Sequence, residues 1–252
     1  TNCRSSWNAL HTLGGLMGNR SLVIVPTYNE IENITQLLTA LNEKVSEADI
    51  LVVDDNSPDG TAEAVKAFAQ KHPQVHLLNR QKKDGLAGAY IAGFKWGLAK
   101  NYDRFVQMDA DFSHSPADVS RLIKALDSYD QAMGSRYIKG GSTSGWTLPR
   151  VLISRGGNVY AKTVLHLPYQ DLTGGFNAHR RQVLESIGLE QITSRGYAFQ
   201  VEIKYRTFKK GFKQIEIPIL FENRKLGVSK MSQDIVKEAA LKVLQLRKLN
   251  IH

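Results

Sequence analysis

The chain has 252 residues and a formal net charge of +9, with 33 Lys and Arg against 24 Asp and Glu. Its length suits one α/β domain with a substantial core and is short for two full domains. The single cysteine, Cys3, excludes an internal disulfide framework and a cysteine-based zinc site. The positive charge fits nucleic acid, an acidic membrane surface or a phosphorylated substrate, and it does not choose among them.

The N-terminal residues differ from the regular pattern that follows them. Residues 1–18 have a short apolar middle and one preceding arginine, so we expect a loose leader rather than a signal peptide. From residue 21 onward, apolar strand candidates alternate with helical stretches; the strand candidates are residues 21–25, 50–53, 75–78, 104–108 and 213–220. This alternation predicts a single α/β domain over residues 19–232, with a largely parallel central sheet and helices on both faces.

The helix candidates show apolar residues at the spacing of a half-buried helix. The first carries Ile34, Leu37, Leu38 and Leu41. Residues 61–71 repeat the spacing, and Ser115 with Asp118 predicts a capping box at the start of another helix. The stretch 148–165 and the last segment, 233–252, mix apolar with basic residues. We assign the last segment to an amphipathic basic helix, and no stretch of the chain reaches the roughly 18 apolar residues of a transmembrane helix.

Polar segments follow three of the predicted strands. They are PTYNE (26–30), DDNSPDG (54–60) and DADFSH (109–114), and in a parallel sheet all three lie along one edge. Turn and helix-cap chemistry explains each segment taken alone. Together, acids at neighbouring strand ends of a basic protein favour a divalent cation, because Mg²⁺ or Mn²⁺ binds one or two carboxylates plus substrate phosphates. Since strand side chains alternate faces, Asp109 and Asp111 are predicted to point the same way and to hold this metal with a nucleotide diphosphate.

Eight segments, in order, resemble the motifs of the polyprenol (dolichol) phosphate mannosyltransferases, which are inverting family-2 glycosyltransferases with the GT-A fold. They are PTYNE, VVDDNSPDG, MDADFSHSP, GSRY, PRVLISRGGN, DLTGGF, GYAFQVEI and RKLGVSK. The resemblance implies a single GT-A domain that transfers mannose from GDP-mannose to a polyprenyl (dolichyl-type) monophosphate. It also implies Mg²⁺ or Mn²⁺ as the cofactor.

The resemblance further implies roles for individual residues on the donor side. The nucleoside-binding positions are matched by Pro26, Tyr28, Glu30, Val53 and Asp55. The metal and diphosphate motif is matched by Asp109, Ala110 and Asp111, and Ser113 stands where some relatives have a glutamine that contacts the metal. The positions that grip the donor diphosphate are matched by Arg136, Arg224 and Lys230.

On the acceptor side, Arg150 and Ser154 match the contacts to the lipid phosphate, with Arg155 beside them. A phosphate monoester has a second pKa of about 6, so the acceptor arrives as an anion able to attack, and we expect no catalytic base. The predicted catalytic set is therefore Asp109, Asp111, Arg136 and Arg150. The apolar and basic helices predict contact with a bilayer surface, and we expect a cytoplasmic protein bound peripherally to the cytoplasmic face of a membrane.

The sequence also has to be compared with the patterns of other protein classes that use related segments. An enzyme that transfers glucose from UDP-glucose to polyprenyl phosphate would share nearly all of the motifs and stays open. A non-enzymatic phosphoacceptor module is about half this length and lacks the Asp-Ala-Asp strand end. A Rossmann nucleotide-binding protein would need Gly-x-Gly-x-x-Gly after the first strand, where PTYNE stands instead. Nucleic acid is not an expected partner, because the chain lacks a basic motif interleaved with aromatic residues.

Overall fold

The computed structural model describes residues 19–223 and 233–249. The leader predicted for residues 1–18 lies outside the described residues, as do Arg224 and Lys230. Within the described part, strands and helices alternate through the first half of the chain. The predicted α/β class is therefore confirmed.

Nine strands are present in the described residues. They are β1 (Ser21–Thr27), β2 (Ala48–Asp54), β3 (Val75–Asn79), β4 (Arg104–Gln107), β5 (Gln131–Ser135), β6 (Ser142–Ser144), β7 (Asn177–Arg180), β8 (Gln214–Pro218) and β9 (Leu220–Glu222). Seven of them form the central sheet in the order β3-β2-β1-β4-β7-β5-β8, and β6 pairs with β9. Only β7 runs against its neighbours in this described sheet, which is therefore largely parallel, as predicted.

Eight α-helices accompany these strands in the described residues. They are α1 (Ile31–Lys44), α2 (Thr61–Ala69), α3 (Gly85–Ala99), α4 (Ala117–Ala125), α5 (Leu148–Leu165), α6 (Arg181–Ser186), α7 (Gly196–Lys209) and α8 (Gln233–Arg247). Alternate residues of β1 face opposite sides of the sheet. Val23 and Val25 join a core with α1, α2 and α4, whereas Leu22 and Ile24 join a core with α3, α6 and α7. Helices thus cover both faces.

Two details of the sequence prediction are wrong. The single strand predicted for 213–220 is divided, because the chain leaves the central sheet at Ile219 and β9 pairs with β6 instead. The Ile219 N–H still donates to the Ser135 carbonyl, at 3.0 Å. The predicted capping box does not form either, since no side chain caps α4 and the Asp118 carboxylate pairs with Arg121.

The last helix, α8, shares a core with the rest of the domain. Apolar side chains of α5, α7 and α8 pack together, among them Ala161, Leu165, Val201, Tyr205, Val243 and Leu246. The observed range of α8 is close to the predicted one. Because its apolar side chains pack against α5 and α7, this helix is an integral part of the domain. None of the helices described here is both long enough and apolar enough to cross a bilayer.

Candidate active site

A cleft of about 710 Å³ lies at the carboxyl ends of β1, β2 and β4. Its other walls come from α5, α7 and α8. The predicted site residues that line it are Pro26, Tyr28, Glu30, Asp55, Asp109, Ala110, Asp111, Ser113, Arg136, Arg150 and Ser154. The fold therefore brings the predicted donor and acceptor residues of the described chain to one cavity.

Val53 is the described donor residue that does not line the cleft. Its side chain is fully buried in β2, in the core cluster that includes α3. A Cβ added at Gly93 of α3 would lie 3.2 Å from Val53 Cγ2. The assignment by motif position did not distinguish the core side of the strand from the cleft.

Two adjacent acids at the end of β2 have different surroundings. Asp54 accepts hydrogen bonds from Thr27 Oγ1 at 2.8 Å, from Ser57 N at 2.8 Å and from Ser57 Oγ at 2.6 Å. It therefore shapes the loop between β2 and α2. Asp55 lines the cleft and accepts a hydrogen bond from Arg80 Nη1 at 2.7 Å. This ion pair fixes the carboxylate at the end of the cleft formed by β1 and β2.

A cation lies over the predicted nucleoside-binding tyrosine. Lys83 Nζ is 3.4 Å from the centroid of the Tyr28 ring, and both residues line the cleft. The sequence prediction included neither Lys83 nor Arg80, although the polar segment after β3 offered a fourth strand end at the same edge.

Asp109 and Asp111 lie in the loop after β4, since that strand ends at Gln107. Both residues line the same cleft, but strand alternation is not the cause of this placement. Asp109 Oδ1 accepts a hydrogen bond from Tyr90 OH at 3.0 Å. Burial, together with the charge of Asp109, raises the pKa of the Tyr90 phenol well above its usual value. Tyr90 therefore remains a proton donor that orients this carboxylate.

The chemistry of this loop fits a divalent metal ion. Asp109 and Asp111 present carboxylate oxygens to one cleft, and such oxygens are the ligands that Mg²⁺ and Mn²⁺ favour. Ser113, predicted as a third metal ligand, is buried and donates both its N–H, at 3.0 Å, and its hydroxyl to Asp111 Oδ1. In the part of the chain that the structure describes, no three His, Cys, Asp or Glu side chains cluster as metal ligands.

Arg136 forms a buried ion pair with Asp171 at the cleft. Its Nε and Nη2 donate to the two carboxylate oxygens, both at 2.7 Å, and Nη2 also donates to Thr173 Oγ1 at 2.9 Å. Burial alone would raise the pKa of Asp171, but the Arg136 guanidinium together with Lys204 holds that pKa below its usual value. The sequence prediction gave Arg136 to the donor diphosphate and missed this protein partner.

Hydrogen bonds from two helices, α7 and α5, also hold the loop that carries Asp171. Lys204 of α7 donates from Nζ to the carbonyls of Asp171, Leu172 and Gly174 at 2.9, 3.2 and 2.9 Å. Burial lowers the pKa of Lys204 to about 8. Asn158 of α5 accepts through Oδ1 from the N–H of Leu172 at 2.7 Å. The loop therefore joins α5 and α7 to the sheet.

The predicted acceptor residues lie on α5. Arg150 Nη1 donates to Asn223 Oδ1 at 2.8 Å, and its guanidinium carbon is 4.1 Å from the centroid of the Trp146 ring. Ser154 Oγ accepts from Tyr137 OH at 2.7 Å. Arg155, the predicted helper, does not line the cleft.

Apolar side chains continue the cleft beyond these polar groups. Ile153, Tyr160 and Ala161 of α5 face Ala240 and Val243 of α8 in its lining. Tyr160 OH donates to the Ala240 carbonyl at 3.0 Å, which joins the two helices. The cleft can therefore take a molecule that is charged at one end and apolar at the other.

A largely parallel α/β sheet with an Asp-Ala-Asp loop at this cleft defines the GT-A class of glycosyltransferases. More narrowly, the chain belongs to glycosyl transferase family 2, whose family model matches residues 22–188. The family membership predicted from the eight sequence motifs is thus confirmed.

Known proteins of related sequence bear mannosyltransferase names. The chain is 47% identical over 224 residues to an undecaprenyl-phosphate mannosyltransferase of Micrococcus luteus. The matched region covers 89% of this chain and 92% of that protein. It is 44% identical over 228 residues to a polyprenol monophosphomannose synthase of Mycolicibacterium smegmatis. This match covers 90% of this chain and 86% of that protein.

A solved structure supports the fold. Glucosyl-3-phosphoglycerate synthase from Mycobacterium tuberculosis, crystallised with Mn²⁺, UDP and glucosyl-3-phosphoglycerate, matches with a TM-score of 0.66 at 17% sequence identity. The match covers 91% of this chain and 80% of that one. At this identity the likeness establishes the shared architecture alone.

Proposed function

We propose that this protein transfers mannose from GDP-mannose to a polyprenyl monophosphate, with inversion at the anomeric carbon. One observation carries the proposal: a single cleft joins the Asp109 and Asp111 carboxylates to a helical wall that bears Arg150 and then becomes apolar. The two mannosyltransferases of related sequence support the sugar and the class of acceptor.

The donor occupies the end of the cleft formed by the strand ends. Tyr28, Glu30 and Asp55 bind the nucleoside, since carboxylates accept hydrogen bonds from ribose hydroxyls and base amino groups. Asp109 and Asp111 hold a divalent ion, Mg²⁺ or Mn²⁺, which when bound supplies positive charge to the leaving diphosphate. The Mn²⁺ in the distant structural neighbour supports a metal of this kind.

Cations of the chain complete the diphosphate site. The hydrogen bonds of Arg136 with described residues use Nε and Nη2, which leaves Nη1 at the cleft for a phosphate oxygen. We assign the same role to Arg224 and Lys230 on the basis of their motif alone. Positive charge around the β-phosphate stabilises the developing charge when its bond to the sugar breaks.

The acceptor occupies the end formed by α5 and α8. Arg150 and Ser154 hold the lipid phosphate, and one of its oxygens attacks the anomeric carbon as the bond to GDP breaks. Because the phosphate is already ionised, its attack releases no proton and needs no base. The first isoprene units lie along the apolar lining between the two helices.

We also propose peripheral binding at the cytoplasmic face of a membrane. Leu148, Leu152 and Val159 share one side of α5 and are 77%, 67% and 63% exposed. Arg155 adds a positive charge on the same helix. An apolar and basic helix surface of this kind favours the boundary of an anionic bilayer, where the acceptor lipid resides.

Competition between donors tests the proposed function. Purified protein with polyprenyl phosphate and Mn²⁺ is given radiolabelled GDP-mannose or UDP-glucose, and label in the lipid phase is counted. We expect label from GDP-mannose only, with unlabelled GDP-mannose competing and UDP-glucose not competing. Equal or faster transfer from UDP-glucose would replace this assignment with that of a polyprenyl phosphate glucosyltransferase.

A further inference from the structure

Gln200 of α7 is a buried residue of the cleft that has no assigned role in the proposed reaction. It is 2% exposed and lines the cleft. Its Oε1 accepts a hydrogen bond from Asn177 Nδ2 at 3.0 Å, whereas Nε2 has no hydrogen-bond partner among the described residues. A buried donor without a partner is destabilising, so a ligand that accepts this hydrogen bond is favoured.

The surrounding hydrogen bonds fix which end of the Gln200 amide faces the cleft. The Gly174 carbonyl can only accept, and Asn177 Nδ2 donates to it at 3.1 Å. Asn177 Nδ2 also donates to Gln200 Oε1 at 3.0 Å and lies 3.4 Å from Gln107 Oε1, so Gln200 presents its oxygen to Asn177. This arrangement leaves Nε2 at the other end of the Gln200 amide, without a partner among the described residues.

Gln200 and Asp109 lie beside Gly175 in the lining of the cleft. A Cβ added at Gly175 would lie 3.6 Å from Gln200 Nε2, 3.7 Å from Asp109 Oδ2 and 4.0 Å from Asp109 Oδ1, so it would contact both groups. Because Gly175 has no side chain, a ligand group seated in the cleft against its Cα can approach the amide donor on one side and the carboxylate on the other.

A hydroxyl group has the chemistry that this space requires. It can accept a hydrogen bond from Nε2 and donate its own hydrogen toward Asp109. A phosphate oxygen has no hydrogen to donate and would face the carboxylate charge directly. Tyr28, Glu30 and Asp55 are assigned above to the nucleoside with its ribose, so the hydroxyl groups expected beside Asp109 and Gln200 are those of the transferred sugar.

We infer that Gln200, Gly175 and Asp109 form a subsite for one hydroxyl group of the transferred sugar. The inference rests on the proposed function for the identity of that sugar. Gln200 supplies the donor, the missing side chain of Gly175 supplies the room, and Asn177 holds the amide in position. The subsite contributes to recognition of the sugar and not to recognition of the nucleoside diphosphate.

Two variants test the subsite in complementary ways. Gly175→Ala fills the space, and its Cβ meets no atom closer than 3.6 Å, so the fold should be retained. Gln200→Glu, assayed at pH 8, keeps an oxygen for Asn177 and replaces the donor at the cleft with an acceptor. Gln70→Leu, at an exposed position after α2 and outside the cleft lining, is the control.

The readout separates the sugar from the nucleotide. The Kd for GDP with Mn²⁺ is measured by calorimetry, and kcat/KM for GDP-mannose is measured by transfer to polyprenyl phosphate. We expect GDP to bind both variants within twofold of wild type, while kcat/KM falls about tenfold. An unchanged kcat/KM in both variants, or an equal loss of GDP affinity, would overturn the subsite.

Deoxy donors identify the hydroxyl group. With GDP-mannose analogues that lack one hydroxyl each, wild type should lose about tenfold with one of them. Gln200→Glu should lose nothing further with that same analogue, because the contact is already gone. Losses that multiply for every analogue would contradict the inference. If wild type instead used UDP-glucose, the proposed function would fail, and the same comparison run with UDP and UDP-glucose would still test the subsite.

Discussion

The two halves of the cleft are built in different ways. The donor half, as we propose it, consists of polar groups at the carboxyl ends of strands, several of which are held by hydrogen bonds, as Tyr90 holds Asp109 at 3.0 Å. The acceptor half consists of two packed helices whose lining is mostly apolar beyond Arg150. The loops at strand ends hold charged side chains in fixed positions through hydrogen bonds, whereas the two packed helices provide an extended apolar surface. The difference suits a reaction between a charged nucleotide sugar and an amphipathic lipid.

The loop from Asp171 to Gly175 couples these halves. It binds Arg136 after β5, Lys204 of α7 and Asn158 of α5 through the bonds described above. Gly175, at its end, lies against Asp109 of the donor half. Changes in this loop should therefore affect both halves, whereas changes on either side of it should affect only one.

The largest effect is expected from the carboxylates of the donor half. Asp109→Asn and Asp111→Asn keep the size of each side chain but remove the charge that holds a divalent ion. Metal stabilisation of a leaving group contributes several kcal/mol, so transfer should fall about a thousandfold or more in each variant. Initial rates over a Mn²⁺ titration measure it. Near wild-type turnover of both variants without added metal would show the metal assignment to be wrong.

The next largest effect, a loss of stability, is expected from a change in the loop from Asp171 to Gly175. Asp171→Asn leaves the buried Arg136 guanidinium without its carboxylate, which should lower the free energy of unfolding by about 3–5 kcal/mol in a urea titration. Asp127→Asn is the matched control, because Asp127 pairs with Arg104 at 2.7 Å but its side chain is 59% exposed. Its loss should stay below about 1 kcal/mol. Equal losses in the two variants would remove the coupling role of the loop.

A smaller effect, confined to the acceptor half, is expected for Arg150→Ala. Loss of one charge-assisted contact costs about 1.5–3 kcal/mol, so transfer to polyprenyl phosphate should fall roughly ten- to a hundredfold. The affinity for GDP-mannose should stay near that of wild type, because the donor contacts are intact. Calorimetry and transfer rates measured side by side test this separation. A parallel loss of donor affinity would mean that Arg150 serves both halves.

The smallest effect concerns the outer surface of the acceptor half. Leu152→Ser removes an exposed apolar side chain of α5 and should weaken binding to phosphatidylglycerol-containing vesicles about fivefold. Ile31→Ser, which changes an apolar side chain 41% exposed on α1 at the donor half, should leave vesicle binding unchanged. Sedimentation with vesicles distinguishes the two. If both variants bound as wild type does, α5 would not be the membrane surface.

The sequence predicts most of the donor half because its signals are local. Apolar runs such as Leu22–Val25 mark the buried parallel strands, and the polar segments directly after them mark the cleft. The strand β7, with the residues Asn-Ala-His-Arg, carries no such run. It becomes a strand because it lies between β4 and β5 and bonds to both, which a local pattern does not reveal.

Contacts between distant segments account for the rest of what the sequence prediction missed. Motif position identified Arg136 but not its pairing with Asp171, 35 residues further along the chain. Gln200 stands inside a motif used for the family resemblance, yet nothing in the sequence places it beside Gly175 and Asp109. These groups meet only through the packing of α7 against the loop after α5.

A comparison of a phosphorylated with an unphosphorylated acceptor tests whether the nucleophile is a lipid phosphate. Purified protein, Mn²⁺ and radiolabelled GDP-mannose are incubated with polyprenyl phosphate or with free polyprenol of the same chain length. We expect labelled lipid with the phosphate only, lost when the metal is chelated, because an ionised phosphate attacks without a base whereas a hydroxyl needs one. Efficient mannosylation of free polyprenol, or metal-independent transfer to the phosphate, would contradict it.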